Sequence, residues 1–253
     1  MMSYLINKKN QKIAYTALKG QGPGIVFIHG LNSNMEGKKA LNIEKYAKVN
    51  NLSFIRFDFR GHGRSYGKFE DFNITDWKED ILNIIDNLTT GPQILIGSSM
   101  GGWIMTLAAK YRYKRIAGLI GLAATLDFSE DLYKSLSSKN KKDIKHKGYT
   151  EYSLSGFSYT LTKKFFTEAK KNNLLSKPIK YKKPLTLIHG LEDDVVKSEM
   201  PKKIMKAVTG KNVNIIYLKT SDHRLSKKHD LLTINHSIDN IRSLLWLYLL
   251  SLI

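Results

Sequence analysis

One stretch, GPQILIGSSMGGWIM (91–105), limits the possible folds more than any other part of this sequence. Its apolar run QILIG (93–97) has the length of a buried strand, and MGGWIMTLAAKY, starting at Met100, has the spacing of a helix. Between them Gly97-Ser98-Ser99-Met100-Gly101 has the form G-x-S-x-G, so strand passes into helix through one tight turn. Such a turn lifts its central residue, Ser99, above the end of a sheet in a strained backbone conformation, and the glycines two places away on either side make room for it. Ser98 is expected to point the other way and to act as a hydrogen-bonding neighbour.

The same strand-to-helix alternation recurs along the chain. GIVFIH (24–29), SFIRFD (53–58), IAGLIGL (116–122), PLTLIHG (184–190) and NVNIIYL (212–218) read as further buried strands. EGKKALNIEKYAKV and ITDWKEDILNIIDNL read as helices between them, the second carrying Ile74, Trp77, Ile81, Ile84, Ile85 and Leu88 at helical spacing. Thr75 or Asp76 is the expected amino-terminal cap of that helix, with Glu79 near the capping-box position. The amino terminus alternates like a β-hairpin. The fold class expected is α/β, with a mostly parallel sheet and helices on both faces. At 253 residues the chain accommodates this as a single domain, 1–253. The alternation breaks between about 126 and 184, a span too long for a bare loop. It is expected to form a small, mainly helical cap of two or three helices with a short hairpin, over the carboxyl ends of the strands.

A serine hydroxyl needs a base to take its proton and a third group to orient that base. Of seven histidines, His223 in KTSDHRLS lies directly after the last strand and before the last helix, on the sheet edge where Ser99 stands. His29 and His189 sit at strand ends before glycines, His62 in a Gly-rich turn, His146 in the insertion, and His229 and His236 on or near the last helix. HGLEDDVV offers Asp193 as the orienting acid through the pattern H-G-x-x-D-x-x-V, with Glu192 and Asp194 as exposed neighbours. Asp222 is a competing acid, and His189 with these carboxylates is a competing metal site; neither is favoured, and no metal or other cofactor is expected. The oxyanion donors expected are the backbone N–H groups of Met100 and Leu31. FDFRGHGRS (57–65) reads as a tight Gly-rich turn rather than a catalytic loop.

The absence of cysteine removes disulfides, thiolate metal sites and a cysteine nucleophile. Forty-one Lys and Arg against 22 Asp and Glu give a formal charge of +19, but the lysines are scattered and no nucleic-acid motif accompanies them. No nucleic-acid partner is expected. LLWLYLLSLI at the carboxyl end is too short to span a membrane and is expected as a final packed helix. Nothing at the amino terminus reads as a signal or transit peptide, so a cytoplasmic, bacterial protein is expected.

The order Ser99, Asp193, His223, together with DFRGHGRS and HGLEDDVV, resembles the α/β-hydrolase superfamily over nearly the whole chain. GLNSNMEGKKA, GPQILIGSSMGGWIM and SDHRLS are similar to its mitochondrial depalmitoylating thioesterase and acyl-glucuronide esterase branch and bacterial relatives of that branch. The resemblance implies an α/β-hydrolase fold, acyl-enzyme chemistry on thioesters or esters, small-molecule or protein-linked acyl substrates, Ser99, Asp193 and His223 as triad, and Leu31 and Met100 as oxyanion donors. Lys197 departs from it, standing where many members carry proline. Tyr149, Tyr152, Phe157, Tyr159, Phe165, Phe166 and Trp103 line an acyl pocket or form the core of the cap; the sequence leaves both open. A serine peptidase and a non-catalytic ligand-binding protein are the alternatives on the same fold.

Overall fold

The structure, a computed structural model, describes residues 2–154 and 157–250; the side chains at 154, 157 and 246–250 lie outside that description, as does the Phe157 ring named above. Among the described residues ten strands form: β1 (Met2–Ile6), β2 (Lys12–Leu18), β3 (Gln21–Ile28), β4 (Leu52–Phe57), β5 (Gln93–Ser98), β6 (Ile116–Leu122), β7 (Tyr149–Leu154), β8 (Phe157–Thr162), β9 (Leu185–Gly190) and β10 (Val213–Leu218). Eight of them make one sheet in the order β1-β2-β4-β3-β5-β6-β9-β10. The β1–β2 and β2–β4 pairs are antiparallel and the other neighbours parallel. The carboxyl ends of β3, β5, β6, β9 and β10 therefore share one edge.

Both faces of β3, β4, β5, β6 and β9 are covered, which is why these strands are continuous apolar runs. Alternate residues of β5 feed opposite cores: Leu95 packs with the face of Trp77, Ile81 and Trp103, while Ile94 and Ile96 pack with Ala40, Ile43, Ile234 and Ile238. The first face is carried by α2 (Ile74–Leu88) and α3 (Gly101–Tyr111), with α7 (Met200–Ala207) further along; the second by α1 (Lys38–Val49) and α8 (Lys228–Leu250). Each fully buried Ile or Trp side chain contributes roughly 1.5–3 kcal/mol. α8 includes 244–250 of the expected final helix, whose last three positions, 251–253, lie outside the described residues, and no helix among the described residues is long and apolar enough to cross a membrane.

One expected boundary moves. The cap of α2 is Asn73, whose side-chain oxygen accepts the N–H groups of Thr75 and Asp76, at 3.0 and 3.4 Å. Asparagine caps as well as aspartate. Starting two residues earlier also brings Ile74 into the first turn, fully buried, while Glu79 stays exposed.

Between β6 and β9 the chain leaves the sheet as α4 (Phe128–Ser135), α5 (Ser138–Lys147), an antiparallel β7–β8 hairpin and α6 (Lys163–Lys171). The two ends of this insertion are tied together: the Asp127 carboxylate accepts the N–H groups of Leu174 and Leu175, at 2.9 and 2.7 Å. Its aromatic side chains pack on the helices below, Phe128 against Trp103 and Phe165 against Trp77, with centroids 5.7 and 6.3 Å apart. Trp103 is fully buried and donates its indole N–H to the Asn172 carbonyl at 3.0 Å. Trp103 and Phe165 are thus core residues joining insertion to sheet helices.

Candidate active site

Ser99 sits where β5 ends and α3 begins, with φ of +53°, the left-handed region that side chains with a Cβ rarely adopt. Its backbone is pinned from both sides: its N–H donates to Leu122 at 2.9 Å, and its carbonyl accepts from Gly102 at 2.9 Å and Thr125 at 3.2 Å. The flanking glycines are sterically required. A Cβ on Gly97 would lie 2.4 Å from the Gly101 carbonyl oxygen, and one on Gly101 would lie 2.2 Å from that of Ile28. Gly101→Ala must therefore push the elbow away from the end of β3. The expected result is a loss of about 1–3 kcal/mol in stability and roughly a hundredfold in kcat from misplacement of Ser99; denaturant titration and steady-state kinetics on one preparation measure both. Ser98 is buried in β5, and its hydroxyl makes no hydrogen bond to protein among the described residues, contrary to the role expected of it.

Leu31 follows β3 at the same edge. Gly30, just before it, comes so close to the elbow that a Cβ there would sit 3.1 Å from Ser99 Cβ. Among the described residues, neither the Leu31 N–H nor the Met100 N–H donates to a protein acceptor. Two backbone donors at this edge are therefore without a protein acceptor, and Met100 caps the start of α3, whose amino-terminal dipole favours negative charge there.

The loop carrying Leu31 is held by residues that sequence reasoning read only as a turn. The Asn32 N–H donates to His62 Nε2 at 3.3 Å, and the Met35 N–H to Asp58 Oδ1 at 2.7 Å. His29 accepts the Phe59 N–H at Nε2, 3.1 Å away, and donates from Nδ1 to the Gly30 carbonyl, at 2.7 Å. Arg60, nearly buried, donates to the fully buried Asp80 at 2.6 Å. The segment at 57–65 is thus a buttress. Its only signal in the sequence was polar residues crowded at a strand end.

Burial lowers the pKa of His29 to about 4 and that of His62 to about 3; the Gly30 carbonyl partly offsets the first, and His29 adds to the second. Both rings are neutral in the native state, whereas the unfolded chain protonates them below about pH 6.5. The unfolded state therefore binds more protons across this window, and stability falls as pH drops from about 6.5 toward about 4. His62→Gln removes one such group. Its stability-against-pH slope in that window is expected to be shallower than the parent's by about 1.4 kcal/mol per pH unit, read by urea unfolding at stepped pH. Carboxylates titrating in the same range are common to both proteins and cancel; identical slopes would refute the assignment.

His223 lies after β10 and Asp193 after β9. His223 Nδ1 is 2.9 Å from Asp193 Oδ2 and 3.1 Å from Oδ1. The Asp193 side chain is fully buried, and its Oδ1 accepts the N–H groups of Val195 and Val196, at 2.9 and 2.8 Å. Burial pushes this carboxyl up, but the His223 hydrogen bond and the Val196 N–H outweigh it, so its pKa lies below the ordinary value. Asp222, the competing acid, instead accepts the Arg224 N–H in its own turn. His189, the competing metal ligand, donates Nε2–H to the Val196 carbonyl at 2.9 Å. The His223 loop is fastened below by Ser221, whose hydroxyl donates to the buried Asp230 of α8, and beside it by Lys39 of α1, whose ammonium donates to the Arg224 carbonyl.

The serine aminopeptidase S33 family matches residues 23–156, just over half the chain. The mitochondrial palmitoyl-protein thioesterase ABHD10 of Bos taurus is 38% identical over 95% of this chain and 79% of its own length, and that of Homo sapiens has the same identity and coverage. The solved structure of α/β-hydrolase domain-containing protein 10 from mouse superposes with a TM-score of 0.89, at 35% identity over 97% of this chain and 99% of that one. These relatives overturn one expectation. They are mitochondrial proteins and point to that compartment, not to a bacterial cytoplasm.

Proposed function

The chain belongs to the α/β-hydrolase superfamily and is a serine-dependent hydrolase of ester and thioester bonds, and from that premise we propose that it cleaves acyl thioesters, S-palmitoyl groups on protein among them, through an acyl-enzyme on Ser99. The thioester preference is taken from relatives named palmitoyl-protein thioesterase. The observation that carries the mechanism is the pairing of His223 with buried Asp193 at the sheet edge where the strained Ser99 stands beside two unoccupied N–H groups.

In this reading His223 Nδ1–H donates to Asp193, which leaves Nε2 as the base that takes the Ser99 proton. The Ser99 oxygen attacks the acyl carbonyl, and the Leu31 and Met100 N–H groups receive the charge that forms on its oxygen. His223 then returns the proton to the departing thiolate or alkoxide. Water, deprotonated by the same imidazole, attacks the acyl-enzyme, and carboxylic acid and free Ser99 are regenerated. The insertion from 126 to 184 acts as the cap that covers the acyl chain.

A short-to-long series of acyl thioesters and p-nitrophenyl esters tests the reading. Turnover of both classes, with kcat/KM rising along the acyl chain, is the expected result. The matched family is described as a serine aminopeptidase, so aminoacyl p-nitroanilides belong in the same panel. Turnover of these alone would replace the thioesterase reading with the peptidase one.

A further inference from the structure

The insertion carries a groove of about 760 Å³ between α4, α5 and α6, lined by none of Ser99, Asp193, His223, Leu31 or Met100. Its floor is apolar, made by Tyr133, Ile144 and Phe166, and its rim is cationic. Six lysines line it against one carboxylate, Glu130, and since Lys134 pairs with Asp131 at 3.8 Å, five lysines against Glu130 leave a formal excess of four positive charges. Four of these lysines, Lys142, Lys145, Lys163 and Lys170, are exposed and form no ion pair among the described residues. Lys141 is held inward, with Nζ donating to the Lys134 carbonyl at 2.9 Å and lying 5.9 Å from the centre of the Tyr133 ring. Glu130 is engaged by the Asn173 amide.

A hydrophobic floor walled by unpaired ammonium groups matches a molecule with an aliphatic arm and several negative charges. A fatty carboxylate would neutralise a single lysine, whereas a nucleotide polyphosphate matches the excess. The site is concave and set between three helices, which suits one chain end more than a flat bilayer. The floor also continues into the protein: Tyr133 contacts Phe166, Phe166 contacts Phe165, Phe165 contacts Phe69 and Phe69 contacts His62, with centroids 5.1, 5.2, 6.4 and 5.7 Å apart. An occupant would thus press on the aromatic column that ends at the buttress of the Leu31 loop.

We propose that this groove is a binding site, separate from the reaction centre, for one soluble amphiphile of the acyl-coenzyme A type, its phosphates held by the lysine rim and its aliphatic arm by Tyr133, Ile144 and Phe166.

The probe is S-octyl-coenzyme A, a thioether with no acyl carbonyl for Ser99 to attack, titrated calorimetrically into the full chain. Its binding is read whether or not Ser99 is the nucleophile, so failure of the groove and failure of the proposed reaction are separate results. The parent is expected to bind it, and the Lys142→Gln/Lys145→Gln/Lys163→Gln protein to bind about tenfold more weakly. Raising salt from about 50 to about 300 mM is expected to weaken parent binding more than that of the triple variant. Tyr133→Ser tests the floor: it lowers affinity for S-octyl-coenzyme A and leaves that for coenzyme A itself unchanged. Undiminished affinity in the triple variant would overturn the proposal, as would binding to phosphatidylglycerol vesicles with none to the soluble probe.

Discussion

Ser99→Ala lowers kcat/KM for thioesters and p-nitrophenyl esters by about 10⁴–10⁶-fold, a loss of roughly 5–8 kcal/mol of transition-state stabilisation. The loss is that large because His223, Asp193 and the oxyanion donors act on one oxygen, and without it they have nothing to activate. The variant folds, since alanine and serine place the same Cβ at φ +53° and the backbone bonds to Leu122, Gly102 and Thr125 involve no side chain. Ser98→Ala, one residue away in β5, keeps activity within a few-fold of the parent, because its hydroxyl makes no bond to protein among the described residues. Ser99→Gly separates strain from chemistry: it is as inactive as Ser99→Ala but more stable by about 1 kcal/mol, having lost the penalty of a left-handed residue with a Cβ. Steady-state rates and urea midpoints on the four proteins check all of this. Full activity in Ser99→Ala would remove the elbow from the mechanism.

Asp193→Asn is expected to cost on the order of 10⁴ in kcat with KM nearly unchanged. The reason lies in the hydrogen bonds around the side chain. Oδ1 already accepts two backbone N–H groups, from Val195 and Val196, so the oxygen of an asparagine stays there and its NH₂ turns toward His223. His223 Nδ1 must then accept, its proton moves to Nε2, and the ring can no longer take a proton from Ser99. The geometry survives while the tautomer is wrong. Asp222→Asn, which alters a bond to the Arg224 N–H in its own turn and the attraction to the Lys39 ammonium, is expected to change kcat by less than about tenfold. Equal effects of the two substitutions would mean that the orienting acid has been misassigned.

The sheet and the elbow were legible because their signals are local. Six apolar runs bounded by glycine or turn residues became β3, β4, β5, β6, β9 and β10, and the spacing of Ile74, Trp77 and Ile81 became the buried stripe of α2. The pairing of His223 with Asp193 was legible in a weaker sense: the sequence placed each after a strand, and parallel neighbours β9 and β10 then bring those loops together. What the sequence hides depends on contacts between distant residues. His62 reads as part of a glycine-rich turn, and nothing nearby says that its ring accepts the N–H of Asn32, thirty positions earlier. The Asp58 bond to Met35 is hidden for the same reason. Asn73, Thr75 and Asp76 lie close together and are equally capable caps in the sequence, and the burial of Ile74 decides for Asn73. The aromatic residues of the insertion could not be divided between pocket and core from sequence, since both uses require the same side chains. The fold sends Trp103 and Phe165 to the core and sets Phe166 and Tyr133 in a groove.

The most direct test is to catch the acyl-enzyme itself. The protein is mixed with excess p-nitrophenyl octanoate, quenched in acid within milliseconds, and analysed by intact mass and then by peptide mapping. One octanoyl group per chain, attached at Ser99 and absent from Ser99→Ala, is the predicted result. An octanoyl adduct on another side chain that Ser99→Ala retains, together with undiminished turnover in that variant, would contradict the assignment of Ser99 as the nucleophile.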